Sequence, residues 1–192
     1  MQVNLRKRII TAITVYPLIV FCIISTNELV IRMLLNIIVF LSAFEISKMC
    51  FYNNLKDGNN KKHYLFIILV FLSILFSNIL IKNNFWQYLV IGACLLWVFI
   101  TVYIINIKRI NIIDSFNYLY MFIYVFILAS LYCSLYTLYL LSPLSLLFLI
   151  SLIAISDISA FFVGKNFGKK PFFNIISPNK TLEGFLGSVS FG

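Results

Sequence analysis

The chain alternates between long apolar runs and short polar connections. Six runs are each about as long as the 17 to 25 residues that a helix needs to cross the hydrocarbon core of a bilayer. This pattern predicts an all-α fold, a polytopic transmembrane bundle with six spans, followed by the start of a seventh. The runs are Ile9 to Thr26, Leu29 to Ser47, Tyr64 to Ile81, Phe85 to Ile107, Phe116 to Leu141, and Leu144 to Gly164.

The composition excludes a water-soluble domain. Of the 192 residues, 62% are hydrophobic and 11% are charged, and the mean hydropathy is +1.01. Soluble domains are about half apolar and a quarter charged. A soluble enzyme core is therefore excluded, and the lipid bilayer is the expected environment.

The first run has a second interpretation. Arg6, Lys7 and Arg8 precede it, as basic residues precede the apolar part of a secretory signal peptide. No convincing small-x-small cleavage site follows before Glu28. We therefore interpret this run as the first span.

The positive charges are distributed unevenly. There are 15 Lys and Arg against 6 acidic residues, a formal net charge of +9. Most lie at the N-terminus, in the second and fourth connections and after the sixth run, whereas the other three connections hold only Lys82. Short loops rich in Lys and Arg stay on the cytoplasmic side, so we expect a bacterial inner-membrane protein whose N-terminus and post-span segment are cytoplasmic. This topology explains the excess charge, so no nucleic acid is needed as a partner.

The cysteines and the histidine indicate no metal site. The cysteines lie far apart in or beside apolar runs, without the spacing of a zinc site, and we interpret them as small apolar residues. His63 follows two lysines in a polar stretch and is predicted to be a loop residue. The cysteines are Cys22, Cys50, Cys94 and Cys133.

Two acidic residues lie within apolar runs. Asp157 is about two helical turns, or roughly 12 Å, before Lys165, and an ionisable group at that depth is a functional hypothesis by default. The alternative is a structural Asp hydrogen-bonded between helices. Glu45 lies three residues before Lys48, and we expect the two to form an ion pair near the membrane interface.

The segment after the sixth run carries the strongest signal for a site. It reads Gly164-Lys165-Asn166-Phe167-Gly168-Lys169-Lys170-Pro171 and then Ser177-Pro178-Asn179-Lys180-Thr181-Leu182-Glu183-Gly184-Phe185-Leu186-Gly187. Ser177 is a good N-cap and Pro178 a good first helical residue. The pattern predicts a helix that begins here and directs free N–H groups at an anion. The alternative is an ordinary basic loop that enters a seventh span.

Side chains of this segment suit a phosphate ligand. Lys180 adds a point charge, and Ser177 and Thr181 add hydroxyl groups. Gly184 and Gly187 would let the backbone approach a ligand or a neighbouring helix closely.

At these residues the chain resembles the phosphatidate cytidylyltransferase (CDP-diacylglycerol synthase) family. Members carry an Asp-containing span, a Gly-Lys/Arg-x-x-Gly-Lys turn and then Ser-Pro-x-Lys-Thr-x-Glu-Gly-Phe-x-Gly. Weaker resemblance extends to the stretch Leu5 to Ala12 and to Ala43-Phe44-Glu45. The residues that match the main pattern are Asp157, Gly164, Gly168, Ser177, Pro178, Lys180, Thr181, Glu183, Gly184 and Gly187.

The resemblance implies transfer of a cytidylyl group from CTP to phosphatidate, which gives CDP-diacylglycerol and pyrophosphate in phospholipid biosynthesis. It implies Mg²⁺ as cofactor, with Asp157 facing the metal, and a catalytic set of Asp157, Lys180 and Glu183. A second copy of the chain is a candidate partner. The substrate-binding residues implied are Ser177, Asn179, Lys180, Thr181, Gly184, Lys165 and Lys169.

The chain also departs from the family pattern. Members usually have Ser or Thr where this chain has Ile158, and often an aromatic hydroxyl residue where it has Phe161. They have a second glycine where this chain has Ser188. Members continue into further spans with Lys-Asp, His-Gly-Gly and Asp-Arg-x-Asp elements, so we expect residues 1–192 to be one integral-membrane domain truncated before that segment. Two alternatives stay open: a catalytically incompetent remnant that retains the spans, and a CTP-dependent lipid-alcohol kinase, which the Ser-Pro-x-Lys-Thr-x-Glu-Gly motif fits less well.

Overall fold

The chain folds into a bundle of helices followed by a small β-hairpin and a short helix. The structure is a computed structural model and describes residues 14, 16–25, 27–51, 61–106, 118–173 and 177–191. Residues 16–24 are helical. The remaining elements are α1 (Glu28–Cys50), α2 (Lys61–Lys82), α3 (Trp86–Asn106), α4 (Tyr118–Leu141), α5 (Pro143–Phe167), β1 (Pro171–Phe173), β2 (Ser177–Thr181) and α6 (Leu182–Phe191).

Four helices of the described part are long and apolar enough to cross a membrane: α1, α2, α4 from Tyr120 onwards, and α5. They coincide with the second, third, fifth and sixth predicted spans. The fourth predicted span coincides with helix α3, Trp86–Asn106. Residues 16–24 of the first predicted span are helical, whereas its start at residues 9–13 lies outside the described residues, and so does the basic segment on which the signal-peptide alternative rests. The six-span count and the seventh span stay predictions.

Successive helices of the bundle run antiparallel. The Phe51 ring at the end of α1 lies 6.2 Å from the Phe66 ring near the start of α2, and at the other end of the bundle Arg32 on α1 contacts Tyr136 on α4. A tight turn at Ser142 joins α4 to α5. The end of α5 and the hairpin therefore lie at the same end as the start of α2. We call this the hairpin end and the other the far end.

Each peripheral helix buries only a narrow stripe. On α1 the buried positions recur every four residues, whereas on α5 Leu146 is the buried residue. Because the outward faces are also apolar, they suit contact with lipid rather than water. The buried positions of α1 are Ile31, Leu35, Val39, Ala43 and Ser47.

Two sequence interpretations at the hairpin end are wrong. His63 is not a loop residue: it lies in the first turn of α2 and is 7% exposed, with its ring 5.7 Å from that of Phe44. Glu45 and Lys48 form no ion pair. The Lys48 ammonium instead lies 4.3 Å from the centroid of the Phe44 ring, because an ammonium is attracted to the face of an aromatic ring.

All four cysteines are free thiols, of which Cys133 is buried and Cys94 is exposed, and their interpretation as small apolar residues stays a prediction. The described residues are predominantly helical, in agreement with the predicted all-α class, and a small hairpin is the local exception. β1 and β2 pair antiparallel, with Pro171 opposite Thr181 and Phe173 opposite Ser177. The fold is helical with one two-stranded sheet, since backbone pairing between the strands satisfies polar groups that the prediction had assigned to a helix.

Candidate functional site

The candidate site is built by α5, the hairpin and α6. α5 ends at Phe167, and the next residue, Gly168, caps it by donating its N–H to the Gly164 carbonyl at 3.1 Å. The hairpin reverses the chain, and α6 then packs back along the last turns of α5. Ser156 on α5 donates to the Ser188 carbonyl on α6 at 3.4 Å, so the two helices run antiparallel over this length.

The predicted helix start at Ser177 is wrong. Ser177 begins strand β2, and α6 begins five residues later, at Leu182. Thr181 caps α6 instead, because its Oγ1 accepts a hydrogen bond from the Gly184 N–H at 3.3 Å, the geometry of an N-cap. The Leu182 N–H donates to the Lys170 carbonyl at 2.9 Å. The N–H groups of Leu182 and Gly184, in the first turn of α6, are therefore bonded within the chain. The prediction had assigned the first N–H groups of this helix to an anion.

Glu183 fastens α6 to the segment before the hairpin. Its carboxylate accepts the backbone N–H of Lys169 at 3.0 Å and that of Lys170 at 3.2 and 3.3 Å. The hydrogen bond from the Lys169 amide is the main reason why the pKa of Glu183 lies below its ordinary value of 4.5. Glu183 is therefore ionised at neutral pH and orients the backbone that carries two lysines.

Glycines allow α5 and α6 to approach closely. Gly184 and Gly187 are buried. A Cβ on Gly184 would lie 3.0 Å from the Ala160 carbonyl oxygen, and one on Gly187 would lie 2.6 Å from the Val163 Cβ. Of the two functions predicted for these glycines, approach to a neighbouring helix is the one observed.

Four lysines cluster around the hairpin, and we call them the basic cluster. Lys169 and Lys170 precede β1, whereas Lys180 lies on β2 beside Thr181, which pairs with Pro171. All four are exposed, and none of their ammonium groups forms an ion pair with a described residue. Four ammonium groups beside the single carboxylate of Glu183 leave a net positive charge at the hairpin end of the bundle. Its members are Lys165, Lys169, Lys170 and Lys180.

The structure brings some of the predicted site residues together and leaves others without a described side chain. Lys165, Lys169, Lys180, Thr181, Glu183 and Gly184 lie around one hairpin. The backbones of Ser177 and Asn179 lie on β2, but their side chains are outside the described part. Contact of any of these residues with substrate stays a prediction.

Asp157 stands apart from this group. It is exposed on α5, ten residues before the helix ends at Phe167. It makes no hydrogen bond or ion pair with a described residue, so the alternative of a structural Asp bonded between helices is not observed in the part of the chain that the structure describes. Its role as a ligand for metal stays a prediction.

The predicted Mg²⁺ site can be compared with these carboxylates. No group of three His, Cys, Asp or Glu that could hold a metal occurs among the described residues. Mg²⁺ is commonly held by one or two carboxylates together with substrate phosphates. Asp157 fits as one such ligand, whereas the Glu183 carboxylate is already engaged by two backbone amides.

Lys170 is a structural contributor that the sequence interpretation missed. It was counted only as a topological charge, yet its N–H donates to Glu183 and its carbonyl accepts from Leu182. The one sequence signal was its position in Gly168-Lys169-Lys170-Pro171, directly before a residue that cannot continue a helix.

A bundle of long apolar helices with a cluster of exposed lysines around a hairpin at one end defines a membrane protein with a positively charged surface. Comparison with known sequences identifies the particular group. The chain belongs to the cytidylyltransferase family, whose sequence model matches residues 6–192.

Two named relatives support this assignment over short stretches. The phosphatidate cytidylyltransferase of Aquifex aeolicus (strain VF5) is 63% identical over 38 residues, which is 20% of this chain and 15% of that protein. The phosphatidate cytidylyltransferase of Encephalitozoon cuniculi (strain GB-M1) is 52% identical over 40 residues, which is 21% of this chain and 10% of that protein. The matched stretches thus span 15% or less of these relatives. No solved structure matches the chain significantly.

Proposed function

We propose that this chain carries the basic, phosphate-binding part of an enzyme that transfers a cytidylyl group from CTP to phosphatidate. The products are CDP-diacylglycerol and pyrophosphate. The observation that carries the proposal is the basic cluster, held by Glu183 and free of ion pairs with described residues, in a chain of the cytidylyltransferase family.

The chemistry of this transfer suits such a site. An oxygen of the phosphatidate phosphate forms a bond to the α-phosphorus of CTP, and the bond from that phosphorus to the oxygen bridging to the β-phosphorus breaks. Pyrophosphate leaves with the bonding electrons. Catalysis of this kind rests mainly on positioning and on electrostatic stabilisation of the phosphate oxygens.

We assign Lys165, Lys169 and Lys180 to the phosphates of CTP. An ammonium group stabilises phosphate as a point charge, and these side chains are exposed at one end of the bundle. Glu183 acts as a positioning residue, because it holds the backbone of Lys169 rather than an ammonium group. Ser177, Asn179, Thr181 and Gly184 complete the proposed substrate surface.

Magnesium is part of the proposal. Asp157 would supply one carboxylate ligand and the substrate phosphates the others. When bound, the ion would neutralise charge on the phosphate oxygens.

The distribution of positive charge supports a cytoplasmic hairpin end. Among the described residues, the far end carries Arg32 and Lys82, and all other Lys and Arg residues lie at the hairpin end. Positive charges in short loops favour the cytoplasmic side. CTP would then be bound at the cytoplasmic face of the bacterial inner membrane, and phosphatidate would come from the bilayer.

The test measures conversion of radiolabelled CTP with phosphatidate by the full-length protein in lipid nanodiscs. Lys180→Ala should abolish formation of CDP-diacylglycerol. Lys61→Ala is the matched control, because Lys61 is an exposed lysine at the same end, on the first turn of α2. Full activity of Lys180→Ala would refute its role.

The products separate the alternatives. Release of pyrophosphate with phosphatidate as acceptor supports the proposed transfer. Release of CDP with a lipid alcohol as acceptor would indicate the kinase, and the absence of both products from the full-length protein would indicate a catalytically incompetent remnant.

A further inference from the structure

The far end of the bundle contains a cavity that the proposed function does not use. It measures about 370 Å³ and lies between α1, α2 and α4. Its walls combine two cations, an amide and a hydroxyl group with aliphatic side chains. The lining residues are Arg32, Asn78, Ile79, Ile81, Lys82 and Tyr136.

The polar side of the cavity is held rigidly. Arg32 Nη2 donates to Glu28 at 2.5 Å and to the Tyr136 hydroxyl at 2.7 Å, and the Tyr136 hydroxyl donates to Glu28 at 2.5 Å. The Arg32 guanidinium also lies 5.3 Å from the centroid of the Tyr136 ring. These contacts fix the guanidinium group at the cavity wall through a single nitrogen, Nη2.

Donors remain at this wall. Arg32 Nε and Nη1, and the Lys82 ammonium group, make no hydrogen bond or ion pair within the described part of the chain. Two cations beside the single carboxylate of Glu28 leave one net positive charge. That charge matches a singly ionised phosphodiester.

The depth of the cavity points to a lipid phosphate. α2 has 22 residues, which at 1.5 Å per residue gives about 33 Å, slightly more than the roughly 30 Å hydrocarbon core. Lys82, at the end of α2, therefore lies at the level of the lipid phosphates. Arg32 lies one turn inside α1, from where a long cationic side chain reaches the same level.

We infer that this cavity binds the phosphate of an anionic phospholipid in the leaflet opposite the basic cluster. Arg32 and Lys82 contact the phosphate oxygens, and Ile79 and Ile81 contact the apolar part of the lipid. The inference is independent of cytidylyl transfer, because none of these residues belongs to the proposed catalytic site.

The test measures binding of short-chain phosphatidylglycerol to the full-length protein in neutral detergent. Short-chain phosphatidylcholine and inorganic phosphate are the comparison probes. We expect phosphatidylglycerol to bind most tightly. Lys82→Gln should weaken that binding about fivefold, the value of one interfacial cation. The matched control is Lys61→Gln, an exposed lysine at the opposite end of the same helix, which should leave the affinity unchanged.

Three results would overturn the inference. If phosphatidylcholine bound as tightly as phosphatidylglycerol, the net charge of the lipid would not determine binding. If inorganic phosphate bound as tightly, the ligand would be a free anion rather than a lipid. If Lys82→Gln bound phosphatidylglycerol with unchanged affinity, the lipid would not bind in this cavity. Thermal unfolding of each variant shows that it is folded, and Arg32→Lys, which keeps the charge but loses the planar fork, should weaken binding without abolishing it.

Discussion

Substitution of Gly187 by Ala tests whether the close contact between α5 and α6 positions the basic cluster. The added Cβ would lie 2.6 Å from both Cβ and Cγ2 of Val163. Optimal carbon–carbon contacts are about 3.5 to 4.0 Å, so the helices must separate by about 1 Å. The contact is close to the backbone on both sides, and a change of rotamer cannot relieve it.

The separation would reach the site through Glu183. Glu183 precedes Gly187 by four residues and therefore lies on the same side of α6. Its hydrogen bond to the Lys169 N–H is 3.0 Å long, and a shift of about 1 Å would carry it beyond hydrogen-bonding distance. A displacement of this size at a catalytic site can lower the rate about 100-fold, and overpacking lowers the free energy of unfolding by about 1 to 3 kcal/mol.

The assay combines thermal unfolding with the CTP and phosphatidate assay on the full-length protein. Gly92→Ala is the matched control, because its Cβ would meet the far end of the Phe126 side chain at 3.1 Å, which can move. Adding Val163→Gly to Gly187→Ala should restore activity, although glycine within α5 keeps the melting temperature below that of the wild type. Adding Val163→Ala should not restore activity, since alanine retains the Cβ. Wild-type stability and activity in Gly187→Ala would refute the reasoning.

Three further predictions concern other contacts. The pKa of Glu183 is lowered on folding, so its contribution to stability is complete above about pH 4.5 and is lost as the pH falls through the folded-state pKa. The difference in melting temperature between the wild type and Glu183→Gln should therefore disappear in that acidic range and not near neutrality. Lys169→Gln should lower activity without lowering the melting temperature, because Glu183 binds the backbone of Lys169, whereas Lys169→Pro removes the donor and should lower both. Tyr132 donates to the Asn78 Oδ1 at 3.0 Å, so Tyr132→Phe should lower the free energy of unfolding by about 0.6 to 1.7 kcal/mol in a denaturation series. The control is Tyr139→Phe, because the Tyr139 hydroxyl bonds to no described residue. An equal loss in both variants would contradict this account.

Parts of the site could be predicted from the sequence because they rest on residue type alone. A lysine that follows a long apolar run lies beyond the end of that helix, however the helices pack. The sequence alone therefore predicts that Lys165 and Lys180 lie at the same end of the bundle. The position of Asp157 within an apolar helix followed in the same way. Contact of these residues with one another depends on how α6 returns along α5, which the local pattern does not contain.

The helix start shows where local reasoning fails. Ser177 and Pro178 have the residue types of a helix N-terminus, and a helix does follow, but pairing with Pro171–Phe173 draws this stretch into a strand. Thr181 then becomes the cap. A residue's propensity is worth a fraction of a kcal/mol, and pairing between strands outweighs it.

The sequence by itself determined which runs form long apolar helices and which end of the bundle carries most of the positive charge. A run of about 20 apolar residues buries its backbone polar groups as a helix whatever its neighbours are. Only the tertiary structure decided that Glu183 holds the amides of Lys169 and Lys170, 14 and 13 residues away, and that Arg32 and Lys82 line one cavity. Such contacts depend on the packing of separate helices, which the sum of many small side-chain contacts decides.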